Sequence, residues 1–385
     1  MVLAPIFMKP AARPRKRSGL IASQKPDPHH QSFIRRAPSE ADSNQLIMPV
    51  ESGPTFIHFA EHLRSLVPSD GRVQLCTSVL PVLVDSISAI AQVLEVSQQV
   101  SLAGTSNTFG DEQLNVDVSA ENIVRAALAT CPSVSTASSE EEPIERPAWE
   151  GQFESNSAAV TSEQYTVAFD PLDGSSIIAA NWTVGTIIGV WDGRSALHQP
   201  PAEKMVASVL GVYGSRTTVI VALRVPGIKP ACFELGLTND DFGNILLVRP
   251  EVRLPDPPFK TRYFAPANLR AAAENPKYLD LITHYVQKKY TLRYSGGLVP
   301  DIAHMLVKNH GIYVSPVTAA SKAKLRRLYE LYPVALIIEC AGGTAIDPAD
   351  GRDILARALE DCDERAGLVC GTKEEVEFVK QSLLK

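Results

Sequence analysis

The sequence of 385 residues predicts a layered α/β protein built from two domains. Three observations carry that expectation. Helical and β-like segments alternate in mixed order, which suits sheets covered by helices better than a bundle or a sandwich. The length is enough for two domains and a large core. A stretch with four prolines, residues 249–258, separates a first domain of residues 46–252 from a second of residues 253–385.

The first forty-odd residues stand apart. Lys9, Arg13, Arg15, Lys16, Arg17, Lys25, Arg35 and Arg36 face one early acid, Asp27, among prolines, serines and histidines. Such a segment has too little apolar surface to offset the entropy of ordering, so residues 1–45 read as a disordered basic tail. The same composition fits an organelle import signal, the alternative to a cytoplasmic location.

Residues 74–96 have helical spacing. Pro81, Asp85, Gln92 and several serines sit inside this apolar run, which makes it a core helix rather than a membrane span. A loop at 101–110 leads to a second helix at 115–129. Residues 133–162, rich in Ser and Glu, read as an exposed loop. Strands follow at 166–169, 184–191, 217–223 and 244–248, with a helix near 203–210. The second domain reads as helices at 276–290, 300–309, 333–340 and 373–384, with strands at 312–314 and 367–370.

Composition narrows the function. A net charge of −6 argues against a nucleic-acid binder, whose affinity would come from clustered Lys and Arg on a folded domain. Polyanionic ligands would need a locally concentrated positive site. Cys76, Cys131, Cys232, Cys340, Cys362 and Cys370 are scattered without a CxxC pair, as expected of buried thiols in a reducing compartment.

One segment carries the chemistry. Asp170-Pro171-Leu172-Asp173-Gly174-Ser175-Ser176 follows the β-like run Tyr165 to Phe169. Carboxylate oxygens suit Mg²⁺, which keeps coordination places open for water and substrate phosphates. A helix starting at Gly174 to Ser176 would turn its free N–H groups toward an anion beside the metal. Holding two or three divalent ions needs more carboxylates from distant positions, and acids crowded that closely raise one another's pKa until metal arrives.

This seven-residue string resembles the signature of the fructose-1,6-bisphosphatase and sedoheptulose-1,7-bisphosphatase family, and the resemblance runs from about Val73 to the C-terminus. It implies an α-β-α-β-α layering, with a sugar phosphatase site between the two domains. The implied metal ligands are Glu140, Asp170, Asp173, Glu330 and the backbone carbonyl of Leu172, holding two to three Mg²⁺ that Mn²⁺ can replace. In the string from Gly110 to Asp117, similar to the family's catalytic loop, Asp111 would orient the attacking water. Asp117 would share a proton network with Glu141. Gly174, Ser175 and Ser176 would cradle the phosphate.

The far phosphate of a sugar bisphosphate would fall to Asn268, Arg270, Arg293, Tyr294, Lys324 and Arg326. The implied assembly is a homo-oligomer, a dimer or tetramer, in which Arg293 reaches a neighbouring subunit's site. Strings such as Phe109 to Gln113 and Val184 to Trp191 are closer to the sedoheptulose-type enzymes. Ser315 stands where the fructose-type enzymes place a Tyr, leaving room for a seven-carbon sugar. The expected reaction is removal of the 1-phosphate of sedoheptulose 1,7-bisphosphate. Fructose 1,6-bisphosphate hydrolysis, another phosphatase of the superfamily and a catalytically silent metabolite-binding relative are the alternatives. Two departures from the family pattern stand out: residues 102–107 lack the regulatory cysteine pair of the plant enzymes, and Ala179-Ala180 replaces a more polar pair.

Overall fold

Runs of apolar and β-branched residues build most of one large sheet. A computed structural model describes residues 59–68, 71–97, 99–106, 112–149, 162–238 and 245–385. All of these lie in one compact unit, Pro54–Lys385. The basic tail falls outside the described residues, as does Asp111.

A short antiparallel hairpin comes first, β1 (Leu102–Ser106) and β2 (Glu112–Leu114). Eight strands then form the large sheet: β3 (Val134–Ser139), β4 (Arg146–Pro147), β5 (Tyr165–Asp173), β6 (Val184–Asp192), β7 (Met205–Tyr213), β8 (Thr217–Leu223), β9 (Ala231–Leu237) and β10 (Ile245–Arg249). Their spatial order is β10-β9-β8-β7-β6-β5-β3-β4. Every neighbouring pair is antiparallel except β3 and β5, which run parallel. The central strands are buried along nearly their whole length because both faces are covered.

The second sheet joins β11 (Tyr263–Pro266), β12 (Thr291–Leu292), β13 (Ile312–Ser315), β15 (Thr344–Ile346) and β17 (Leu368–Gly371) in the order β12-β11-β13-β17-β15. Between β13 and β17 in sequence, β14 (Leu325–Arg326) and β16 (Arg365–Ala366) pair as a separate antiparallel ribbon.

Helices fill three layers around these sheets. The helices Phe59–Leu66, Leu80–Val96 and Asn115–Leu128 cover the outer face of the large sheet. The helices Leu298–Lys308 and Tyr332–Cys340 lie between the sheets, and Pro276–Gln287 and Lys373–Leu384 cover the far face of the smaller one. The result is the expected α-β-α-β-α layering. The segment Leu75–Val96 is long and apolar enough in composition to cross a membrane, and here its Leu80, Leu83, Val84 and Ile87 are fully buried in the outer core.

Three sequence expectations need correction. Residues 102–106 are a strand rather than loop, since they pair with β2. Within the Ser- and Glu-rich stretch, Val134–Ser139 is a strand beside β5; its Ser138 and Ser139 are buried next to Ala137, and polarity alone misread it. The segment read as a helix near 203–210 is one short turn, Pro201–Lys204, followed by β7. There the β-branched residues and the cross-strand partners of β6 and β8 override helical spacing. The strands β9, β11 and β15 carried no expectation.

Candidate active site

A bulge sets the geometry of the signature. Asp170 lies opposite Ile187 and Asp173 opposite Gly185, so β5 takes three steps where β6 takes two. Residues three apart on a regular strand face opposite ways. The extra residue brings Asp170 and Asp173 to the same face. Pro171 fits inside the bulge because it needs no ladder donor there. Thr186 Oγ donates to the Pro171 carbonyl at 2.8 Å and meets the Tyr213 hydroxyl at 2.7 Å, which pins the bulge to β6 and β7. The Leu172 amide donates to Asp170 Oδ1 at 2.9 Å.

Two further acids arrive from separate elements. The Glu140 amide donates to the Phe169 carbonyl at 3.0 Å, so the end of β3 sets Glu140 beside Asp170. Glu330 sits in a π turn, Arg327–Leu331, that opens the helix Tyr332–Cys340. Carboxylate oxygens of Glu140, Asp170 and Glu330 lie within 4.8 Å of one another. Asp170 and Glu330 are each only 5% exposed, which leaves little water to screen them. Burial, then the neighbouring acids, pushes both well above the usual carboxylate range. Glu140 is pushed up to about 7, first by burial and then by Glu141 and Asp173, with Arg326 opposing.

Asp173 does something different. Its two oxygens accept from the amides of Leu298 at 3.3 Å and Val299 at 2.7 Å, at the start of the helix Leu298–Lys308. Burial raises its pKa to about 6 against the pull of those amides. Gly185 makes the approach feasible, because a Cβ there would stand 2.3 Å from Val299 Cγ1.

A second acidic pair adjoins the hairpin. Asp117, 4% exposed, accepts from the Leu114 amide at 2.9 Å, and burial raises it to about 6 with a further push from Glu141. Glu141 Oε2 accepts from Gln113 Nε2 at 2.5 Å. Asp111 lies outside the described residues.

At the signature's exit Gly174 adopts φ 98°, a left-handed conformation suited to glycine, and starts the short helical turn Ser175–Ile178 with Ser175 and Ser176 exposed. In the loops that follow β11 and β12, Arg270 and the backbone of Asn268 face the Tyr294 hydroxyl. The Asn268 side chain is engaged elsewhere, donating to the Pro316 carbonyl at 2.6 Å and accepting from the Ser321 hydroxyl at 2.6 Å. Arg293 is exposed, stacked 5.8 Å from the Tyr263 ring. Lys324 is exposed just before the ribbon strand that carries Arg326.

Arg326 is the departure. Its guanidinium, 2% exposed, pairs with Glu140 and with Asp363. It stands at the acidic cluster, whereas the resemblance implied a contact to the distal phosphate.

The donor set fits a hard divalent cation: carboxylate oxygens only, from three elements, mutually repelling, with Asp170 and Glu330 buried and Glu140 half-buried. Sequence reasoning missed Gln113, Asp363 and the amides of Leu298 and Val299. Gly185, directly opposite Asp173, was the one available signal of the last contact. The others are set by tertiary approach.

Comparison with known proteins gives a family. The family pattern described as "Fructose-1-6-bisphosphatase, N-terminal domain" matches residues 61–248, and "Fructose-1-6-bisphosphatase, C-terminal domain" matches residues 258–384. The chain is 39% identical over 286 residues to a chloroplastic sedoheptulose-1,7-bisphosphatase of Triticum aestivum, covering 74% of this chain and 67% of that one. Against the Chlamydomonas reinhardtii protein of the same name the identity is also 39%, and the match spans 66% of the relative's length. A class 1 fructose-1,6-bisphosphatase of Syntrophotalea carbinolica is 33% identical over 76% of this chain and 88% of its own. Among solved structures, a putative sedoheptulose-1,7 bisphosphatase from Toxoplasma gondii is similar with TM-score 0.74 and 32% identity, covering 86% of this chain and 99% of that one. The Leishmania major fructose-1,6-bisphosphatase in holo form follows with TM-score 0.73, 26% identity and coverage of 86% and 100%.

Proposed function

The chain belongs to the fructose-1,6-bisphosphatase family, and from that premise we propose that it is a Mg²⁺-dependent phosphomonoester hydrolase that removes the 1-phosphate of sedoheptulose 1,7-bisphosphate. The observation that carries this reading is the convergence of Glu140, Asp170 and Glu330 from three separated elements. A bound divalent cation, two or three per site with Mn²⁺ able to substitute, supplies positive charge to the phosphoryl and leaving oxygens.

The residues divide the work. Glu140, Asp170, Glu330, Asp173 and the Leu172 carbonyl hold the cation. The Asp117 and Glu141 pair, held by the Leu114 amide and by Gln113, takes the proton of the attacking water, with Asp111 orienting it. Gly174, Ser175 and Ser176 receive the reacting phosphate. Asn268, Arg270, Tyr294 and Lys324 receive the distal one, and Arg293 serves the site of a second copy in a dimer or tetramer. Sedimentation velocity decides the assembly.

The preference for the seven-carbon sugar is supported by 39% identity to the two sedoheptulose enzymes against 33% to the fructose enzyme, and by the small Ser315 at the end of β13. The fold itself does not discriminate, since both structural neighbours superpose about equally. Phosphate release from the two bisphosphates, assayed side by side with Mg²⁺, tests the proposal. A higher kcat/KM for fructose 1,6-bisphosphate would reassign the substrate, and no release from either would remove the function. For location we propose the cytoplasm, with organelle import through residues 1–45 as the alternative. A fluorescent fusion to those residues separates the two.

A further inference from the structure

Arg326 and Arg365 stand directly opposite each other across the β14–β16 ribbon. Like charges at a cross-strand position repel, and more so where one of them is almost fully buried. A carboxylate oxygen shared by the two eases the conflict. Asp363 Oδ1 accepts from Arg326 Nε at 2.8 Å and from Arg365 Nε at 3.1 Å. Asp363 is itself held in the turn before β16, its amide donating to Asp361 Oδ1 at 2.7 Å. The other end of the Arg326 guanidinium pairs with Glu140. A chain of carboxylate, guanidinium and carboxylate therefore runs from a solvent-facing turn into the acidic cluster.

Resting on the metal-site reading above, we propose that Asp363 is a positioning residue that sets divalent-cation affinity by holding Arg326. Arg326 is a tethered counter-charge. With the cluster metal-free it offsets the repulsion among Glu140, Asp170 and Glu330. When Glu140 turns to a cation, Arg326 must give up that partner, and a buried guanidinium can do so only if another carboxylate keeps it paired. Among the described residues, Asp363 is placed to do so. Neutralising it shifts Arg326 toward Glu140, in direct competition with the cation.

The test is Mn²⁺ binding by calorimetry on the full chain, for the wild type, Asp363→Asn, Asp363→Glu, Arg326→Met and the double variant Asp363→Asn/Arg326→Met. Asp363→Asn is expected to bind Mn²⁺ about 10- to 100-fold more weakly, the usual effect of losing an outer partner of a metal ligand. Asp363→Glu is expected to recover most of that loss. In the Arg326→Met background, Asp363→Asn is expected to change affinity less than about twofold, because the residue through which it acts is gone. Equal Mn²⁺ affinity in Asp363→Asn and wild type overturns the proposal while leaving the metal site intact, and so does an undiminished Asp363→Asn effect without Arg326. Absence of Mn²⁺ binding by the wild type instead overturns the metal-site reading. Should Asp363→Asn fail to fold, Asp363→Glu and Arg326→Met decide: a weaker Asp363→Glu, or an Arg326→Met that binds no more tightly than wild type, counts against it.

Discussion

Asp173 Oδ2 accepts from the Val299 amide at 2.7 Å, tying the strand that ends in the signature to the first turn of a helix between the two sheets. A carboxylate at a helix N-terminus is favoured by the unpaired amides and the helix dipole. In the metal-free state these amides are partners of a carboxylate that the function would assign to the cation.

Gly185→Ala tests that tie without touching an acid. The added methyl would lie 2.3 Å from Val299 Cγ1 and 2.5 Å from the Gly211 carbonyl, so the helix must move away. The expected outcome is a loss of about 1–3 kcal/mol in urea unfolding together with reduced kcat. Wild-type values in both would show that the close approach is dispensable.

Glu330→Gln separates stability from activity. It removes one charge from a buried, mutually repelling group and keeps the oxygen that accepts from the Arg326 amide at 2.5 Å. Turnover is expected to fall about 10²–10³-fold, on the scale of losing one preorganised electrostatic group. In excess chelator the variant is expected to melt higher than wild type by at least ~2 °C. A lower melting temperature would mean that mutual repulsion is not what that carboxylate contributes.

Stability should also follow pH through Asp301. It is 5% exposed, Oδ1 accepts from the Ser295 amide at 2.8 Å, and Oδ2 has no hydrogen-bond partner among the described residues. Burial raises its pKa from 3.8 to about 7. A raised carboxyl pKa favours the protonated folded state, so this contribution is complete below pH 3.8 and is lost as pH rises to about 7. Asp301→Asn should remove that slope, gaining on the order of 2–4 kcal/mol over wild type at pH 8. Urea titrations of metal-free protein at three pH values check this, and parallel profiles would contradict it.

Divalent metal should stabilise as well as activate. At a Mg²⁺ concentration 100 times its Kd the wild type should gain about 2.7 kcal/mol, reversed by chelator. Asp170→Asn should lose that gain, and a thermal shift that survives in the variant would place the cation elsewhere.

Most of the layered architecture was legible, because the strands and helices with clear period or β-branching stand close to where pattern placed them. The helix expected at 373–384 and the strand expected at 217–223 have those bounds. β3 was hidden by its serines, which read as loop although Ser138 and Ser139 are buried beside Ala137. At the site the grouping of Glu140, Asp170 and Glu330 was implied by the family resemblance, while the residues by themselves show the acids and not the approach that joins them. No periodicity announces a bulge at Pro171, and nothing in the residues around Arg326 shows that it will face Glu140 across 186 positions of chain.

The π turn at Arg327–Leu331 makes the site sensitive to chain length. An ordinary helical turn closes one residue sooner, and one residue on a helix is a rotation of about 100°. A single deletion within that turn would leave the helix Tyr332–Cys340 packed and hydrophobic while swinging Glu330 away from Asp170. Insertions and deletions here are therefore a sharper marker of lost chemistry than substitutions, and a homologue shortened by one residue at this turn would keep the scaffold without its cation.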